Sequence, residues 1–182
     1  ARAGVAINKA LAEDPGKILA LEMGGNNPLV VWNTPLVADA AALIVQSAFT
    51  TAGQRCTAAR RLIVQDSLYD AVVGEVVALA ERMVIGAPFD DPQPFIGPVI
   101  DNAAAEQLTE GFVDLLSRGG RAITPMRRPM GADLPFVTPA LIDMTQAGKR
   151  PDEELFGPLL QVFRVDDFDE AIAVANDTRF GL

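Results

Sequence analysis

Short apolar runs alternate along this chain with helix-spaced stretches, and this alternation limits the possible folds more than any other feature. Runs rich in Val, Leu and Ile predict strands at 29–32, 61–64, 121–124, 140–143 and 159–165. The stretches between them predict helices over 39–52, 66–83, 102–118 and 167–177. Strands that alternate with helices are typical of layered α/β architecture.

The beginning of the chain carries two further elements. Apolar residues at helical spacing predict a helix that ends at Asp14-Pro15-Gly16, and the run 17–21 predicts a buried, parallel-type strand. Glu22 follows that strand at its carboxyl end, where open α/β sheets place their sites. We therefore expect the Glu22 carboxylate to be partly desolvated. Because the chain starts without Met and inside a helix, we also expect it to be an excised piece of a longer protein.

The chain has a single cysteine, Cys56, and no histidine. A lone thiol forms no internal disulfide, and the composition excludes Cys-His and Ser-His-Asp catalysis within the chain. Without context, a lone cysteine is more often a small buried apolar residue than a nucleophile. If Cys56 is a nucleophile, it needs activation by cations, backbone dipoles or a carboxylate, and Arg55 is adjacent.

Charge and hydropathy exclude several classes of partner. The net charge of −9 disfavours nucleic acid and anionic membrane surfaces. No apolar run approaches the roughly 20 residues that a membrane helix requires. One cysteine and no recognisable targeting segment favour a reducing cytoplasm. The residue pattern predicts no metal site.

Three ordered motifs carry a family resemblance. They are Glu-Met-Gly-Gly-Asn-Asn-Pro at 22–28, Gly-Gln-Arg-Cys-Thr at 53–57 and Glu-Glu-Leu-Phe-Gly-Pro at 153–158. Together they closely resemble the NAD(P)-dependent aldehyde dehydrogenase superfamily over nearly the whole chain, and their wording is similar to a branch that oxidises an acidic semialdehyde. The resemblance implies a three-layer catalytic domain with a mostly parallel sheet over 1–182. It also implies that the cofactor domain and the C-terminal oligomerisation strand lie outside this chain.

The resemblance assigns roles to individual residues. Cys56 would be the nucleophile, Glu22 the general base that hydrolyses the thioester, and the Cys56 N–H one oxyanion donor, with a second amide from outside the chain. Glu154 would hold the nicotinamide ribose, with Phe156 and Met23 also at the cofactor. The implied cofactor is NAD, with NADP not excluded, the substrate is a small aldehyde, and the full-length protein would be a homo-oligomer.

The residues themselves leave alternatives open. Arg55 could bind a carboxylate of the substrate through its forked donors. Arg60 and Arg61 alternate across a strand, so one of them is expected to form a structural salt bridge. Beside an acidic-semialdehyde dehydrogenase, two other functions remain: a non-catalytic domain, and a reductase of activated acyl groups that would not need Glu22.

Overall fold

The computed structural model describes residues 2–148 and 150–181. Within these residues the helices are α1 (Arg2–Leu11), α2 (Val37–Phe49), α3 (Asp66–Glu81), α4 (Asn102–Ser117) and α5 (Phe168–Asn176). The strands are β1 (Asn27–Val31), β2 (Ala59–Gln65), β3 (Arg121–Thr124), β4 (Ala140–Asp143) and β5 (Leu159–Val165). None of the helices in the described part is long and apolar enough to cross a membrane.

The five strands form one sheet in the order β1-β2-β5-β4-β3. β1, β2, β5 and β4 pair in parallel, and β3 joins β4 antiparallel at one edge. The predicted α/β class with a mostly parallel sheet is therefore confirmed. β2 and β5 lie inside the sheet, and their near-continuous burial explains why they read as apolar runs.

Helices cover both faces of the sheet. Arg61 on β2 lies opposite Gln161 on β5, so both side chains point to the same face, and Arg61 reaches the end of α5 there. Arg164 on β5 points to the other face, where its guanidinium pairs with Asp66 and Asp70 of α3 at 2.7 Å and 2.6 Å. The sheet is thus the middle of three layers.

Helix starts differ in how they are capped. The Asp101 side chain caps α4 by accepting a 2.7 Å hydrogen bond from the Ala104 N–H. Asp167 caps α5 in the same way. α3, in contrast, has Gln65 at its N-cap position with no side-chain capping bond, and the carboxylate of its first residue, Asp66, pairs with Arg164.

The predicted strand at 17–21 is wrong. These residues carry no strand in the structure, and Ile18 is fully exposed, with 100% of its surface accessible. A strand needs a neighbour that pairs with its backbone N–H and C=O groups. Among the described residues no strand pairs with this segment, so it remains irregular.

Candidate active site

The cysteine loop (residues 53–57) follows α2 after one short 3-10 turn, Thr50–Gly53. After Phe49 the chain turns through Thr51, Ala52 and Gly53, which have φ values of 57°, 53° and 67°. Three consecutive residues in the left-handed region end the helix sharply and send the chain back to the sheet. Cys56 follows on this turn, exposed and free of any disulfide. Its sulfur therefore lies at the surface and not in the core.

The cysteine loop packs directly on the acidic loop (residues 153–158). A Cβ added to Gly53 would lie 2.6 Å from the carbonyl carbon of Gly157, so only glycine permits this approach. Gln54 holds the other side of the turn, since its Oε1 accepts a 2.9 Å hydrogen bond from the Ile100 N–H. Two of the three motifs are thus in contact through their backbones.

The glycine segment (residues 22–28) reaches the same place. The Asn27 side-chain amide donates to the Cys56 carbonyl oxygen at 2.6 Å and to the Ala58 carbonyl oxygen at 3.2 Å. A Cβ on Gly25 would lie 3.0 Å from that Cys56 oxygen. The glycine segment therefore lies against the backbone of Cys56, and the structure brings all three motifs together.

Glu22 itself is exposed. The expected partial desolvation is wrong, because the strand that would have carried Glu22 into a sheet does not form among the described residues. Met23 is 39% exposed, and its sulfur occupies the space that a Cβ on Gly4 of α1 would need. The catalytic role of Glu22 and the cofactor role of Met23 stay predictions.

Glu154 points back toward the glycine segment. One of its carboxylate oxygens, Oε2, lies 2.7 Å from where a Cβ on Gly24 would be. The other, Oε1, is buried and has no hydrogen-bond partner among the described residues. Buried polar atoms are normally paired, so this carboxylate oxygen retains unused capacity to accept a hydrogen bond.

A groove runs along the acidic loop and α4. It has a volume of about 490 Å³, within the usual range of about 300–1,000 Å³ for ligand pockets. Two of the three predicted cofactor residues, Glu154 and Phe156, line it, and Met23 does not. The full lining is Gln54, Ile100, Ala104, Gln107, Leu108, Glu110, Gly111, Asp114, Glu153, Glu154, Leu155 and Phe156. Phe156 is 44% exposed, which leaves its ring available for contact.

The buried side chain of Arg60 links the cysteine loop to the acidic loop. Its Nη1 donates to the Gly157 carbonyl oxygen at 3.0 Å, and its Nη2 donates to the Arg55 carbonyl oxygen at 3.2 Å. The guanidinium carbon lies 5.2 Å from the centre of the Phe156 ring, within cation–π range. Burial lowers the pKa of Arg60 to about 10; the charge of Glu154 opposes this shift and that of Arg55 adds to it. Arg60 therefore remains a cation at neutral pH.

Arg61 points to the opposite face. It donates to the carbonyl oxygens of Asn26, Val174 and Ala175 at 2.8, 2.7 and 2.9 Å, and so joins the glycine segment to the end of α5. The expected structural salt bridge is wrong: within the described ranges neither Arg60 nor Arg61 forms an ion pair with a carboxylate. Both arginines donate to backbone carbonyl oxygens. The sequence pattern does not show which backbone carbonyls will lie near a side chain.

Arg55 also uses backbone partners. Its Nη2 donates to the carbonyl oxygens of Gln46 and Ser47 in α2, at 3.0 Å and 3.2 Å. These bonds place the guanidinium at the end of the helix, where a positive charge is favourable. A role for Arg55 in binding the substrate stays a prediction.

Asp152, which directly precedes the acidic loop, accepts hydrogen bonds from two other segments of the chain. Asn26 Nδ2 and the Thr178 hydroxyl donate to its Oδ1 at 3.0 and 2.7 Å, and the Arg179 N–H donates to its Oδ2 at 2.8 Å. Burial by itself would raise the pKa of Asp152, but these hydrogen bonds outweigh it, and the net effect lowers that pKa below 3.8.

Sequence reasoning offered Arg60 only as a candidate for a salt bridge, and it gave no structural role to Gln54 or Asp152. One signal for Arg60 was available, since two arginines interrupt an otherwise apolar strand pattern and buried charges need partners. No group of three or more metal-ligating side chains occurs within the described part of the chain.

A model of the aldehyde dehydrogenase family matches residues 1–182. The N-succinylglutamate 5-semialdehyde dehydrogenase of Novosphingobium aromaticivorans is 68% identical over 182 residues, covering all of this chain and 38% of the relative. The predicted resemblance to the family and to this branch is thus confirmed. This chain spans only about two fifths of that relative's length.

Solved structures agree with the fold. An NADP-dependent enzyme of E. coli is 33% identical with a TM-score of 0.88, covering 100% of this chain and 37% of that one. A 1-pyrroline-5-carboxylate dehydrogenase from Thermus, described with bound NAD, is 31% identical with a TM-score of 0.84, covering 100% and 36%.

Proposed function

Because this chain belongs to the aldehyde dehydrogenase family, we propose that it is the cysteine-bearing catalytic part of an NAD-dependent dehydrogenase for N-succinylglutamate 5-semialdehyde. The observation that carries the proposal is the convergence of the three motifs around an exposed Cys56, in a chain 68% identical to an enzyme of that name. The product would be the free carboxylic acid. The family resemblance implies that this reaction belongs to arginine catabolism. We also propose a cytoplasmic location, because a reducing compartment suits a nucleophile that must stay a free thiol.

Cys56 is proposed to attack the aldehyde carbon as a thiolate. The new sulfur–carbon bond leaves a negative charge on the former carbonyl oxygen. The Cys56 N–H makes no hydrogen bond to the rest of the described chain, so it is available as a donor to this oxyanion. Collapse of the adduct releases a hydride and leaves a thioester on Cys56.

Two residues that line the groove, Glu154 and Phe156, support a nicotinamide dinucleotide as the cofactor. Glu154 offers an unpaired, buried carboxylate oxygen that can accept hydrogen bonds from ribose hydroxyls, and Phe156 offers an exposed ring face for packing. When bound, NAD supplies the hydride acceptor. The residues described here do not distinguish NAD from NADP.

Glu22 completes the proposed turnover. Its carboxylate would take a proton from water, and the resulting hydroxide would attack the thioester, release the acid and restore the thiol. This role separates hydrolysis from the acyl-reductase alternative, which has no need of Glu22. In the full-length enzyme, Glu22→Gln should give a single burst of NADH and then stall with an acylated Cys56, as detected by mass spectrometry. Undiminished steady turnover would remove the base role.

The direct test is steady-state kinetics of the full-length enzyme over a panel of semialdehydes. We expect the highest kcat/KM for N-succinylglutamate 5-semialdehyde and no NADH formation by Cys56→Ala. A higher kcat/KM for a neutral aldehyde of similar length would reject the substrate, and an active Cys56→Ala would reject the mechanism. The 182-residue chain alone should bind NAD weakly and form little or no NADH.

Arg55 is proposed to favour acidic substrates. Arg55→Ala should raise KM for acidic aldehydes more than for neutral ones, whereas Arg55→Lys, which keeps the charge, should show a smaller difference. Because Arg55 also bonds to α2, a purely structural role would raise both KM values equally. We also propose, from the family resemblance, a homo-oligomer of the full-length protein, testable by light scattering.

A further inference from the structure

We propose that Arg60 is a positioning residue that orients the peptide group between Arg55 and Cys56, and so aims the Cys56 N–H at the oxyanion. This inference rests on the proposed function. It assigns a role in the reaction to a buried side chain that none of the three motifs includes.

The argument begins with one peptide unit. The Arg55 carbonyl and the Cys56 N–H belong to the same planar group, and in a trans peptide they point in opposite directions. A hydrogen bond to the carbonyl oxygen therefore also fixes the direction of the N–H. The Arg55 oxygen accepts two such bonds, from the Ala58 N–H at 3.1 Å and from Arg60 Nη2 at 3.2 Å.

The charge on Arg60 adds a second effect. A cation that donates to a carbonyl oxygen draws electron density toward it, which makes the N–H of the same peptide a stronger donor. Arg60 is only 2% exposed, so water screens this effect little.

Arg60 is itself held in place. Its other terminal nitrogen donates to Gly157, and its guanidinium lies over the Phe156 ring. A planar guanidinium can span two carbonyl oxygens on different loops, whereas a lysine ammonium acts as a point charge. The fork therefore couples the position of the oxyanion donor to the loop that carries Glu154.

The test compares two reactions of Cys56 in the full-length enzyme. With p-nitrophenyl acetate, the thiolate attacks the ester carbonyl, a tetrahedral oxyanion forms, p-nitrophenolate leaves and an acetyl thioester remains. With iodoacetamide, the thiolate displaces iodide from a saturated carbon, and no oxyanion forms. Both reactions need the thiolate, so the ratio of their rate constants isolates the contribution of the oxyanion donor.

Removing an oxyanion donor outright costs about 10²–10³ in rate, so disturbing its orientation in Arg60→Lys should lower the acylation rate by about tenfold. Alkylation at a pH where the thiol is fully ionised should change by less than about twofold, because that reaction forms no oxyanion. Single-turnover NADH formation should fall by about the same factor as acylation. Arg60→Met, which lacks both charge and fork, should lower the ratio further.

Arg61→Lys is the matched control, since it alters the neighbouring buried arginine on the opposite face and should leave the ratio unchanged. An unchanged ratio in Arg60→Lys overturns the inference, and so does an equal fall of both rates, which would indicate a purely structural role. If Arg60→Met does not fold, the Arg60→Lys ratio decides alone. Failure of the proposed function looks different: the wild-type enzyme would then form no NADH.

Discussion

Replacing Gly53 with alanine tests whether the contact between the cysteine loop and the acidic loop holds the site together. The φ of 67° at this position costs an alanine about 1 kcal/mol. The new Cβ would overlap the Gly157 carbonyl oxygen and lie 2.6 Å from its carbon and 2.9 Å from the Ala48 oxygen. Carbon atoms pack best at about 3.5 Å, so the loops must separate by about 1 Å. Overpacking of this kind costs about 1–3 kcal/mol, for a total loss of about 2–4 kcal/mol.

The free energy of unfolding is measured by urea titration of the 182-residue chain, followed by circular dichroism. Gly74→Ala is the matched control, since Gly74 is an exposed residue of α3 with no atom within 4 Å of an added Cβ. It should stabilise the chain by about 1 kcal/mol, because alanine is the better helix former. In the full-length enzyme, a shift of about 1 Å at Cys56 should slow single-turnover NADH formation by about 10²-fold in Gly53→Ala.

Two results would refute this reasoning. If Gly53→Ala unfolds with the same free energy as the wild type, the loops do not need their close backbone contact. If it is less stable but forms NADH at the normal single-turnover rate, the contact supports the fold and does not position the nucleophile.

Three further predictions concern the surrounding structure. Asp101→Ala should destabilise the chain by about 1 kcal/mol in urea unfolding through loss of the α4 cap, and an unchanged midpoint would contradict the capping bond. Arg61→Met leaves buried carbonyl oxygens, including that of Asn26, without donors, and should lower the free energy of unfolding by about 3 kcal/mol. Little or no loss of stability would show that water replaces the guanidinium. Because the folded-state pKa of Asp152 is below 3.8, its carboxylate stabilises the fold above that pH, and this stabilisation is lost as pH falls through the lowered pKa. Asp152→Asn should therefore be less stable at neutral pH and should lose less stability on acidification; parallel acid transitions would refute this sign.

Local sequence patterns predicted most elements because their signals lie within a few residues. The bounds 121–124, 140–143 and 159–165 agree with β3, β4 and β5, since turn residues and apolar runs delimit them. The run 17–21 has the same local pattern as a buried strand, yet Ile18 is fully exposed. Local pattern does not reveal whether a neighbouring strand is available to pair.

The chain itself determined which chemistry is open to it: one thiol, no imidazole, and three motifs that belong together in one family. Only the tertiary structure decided that Gly53 meets Gly157, that Asn27 holds the Cys56 carbonyl, and that Arg60 and Arg61 bond to backbone oxygens on opposite faces of β2. Composition and spacing are properties of the chain alone, so they can be read without coordinates. The partner of a buried donor is set by distant segments, 113 residues away for Arg61 and Val174, whose positions follow from the packing of the whole sheet.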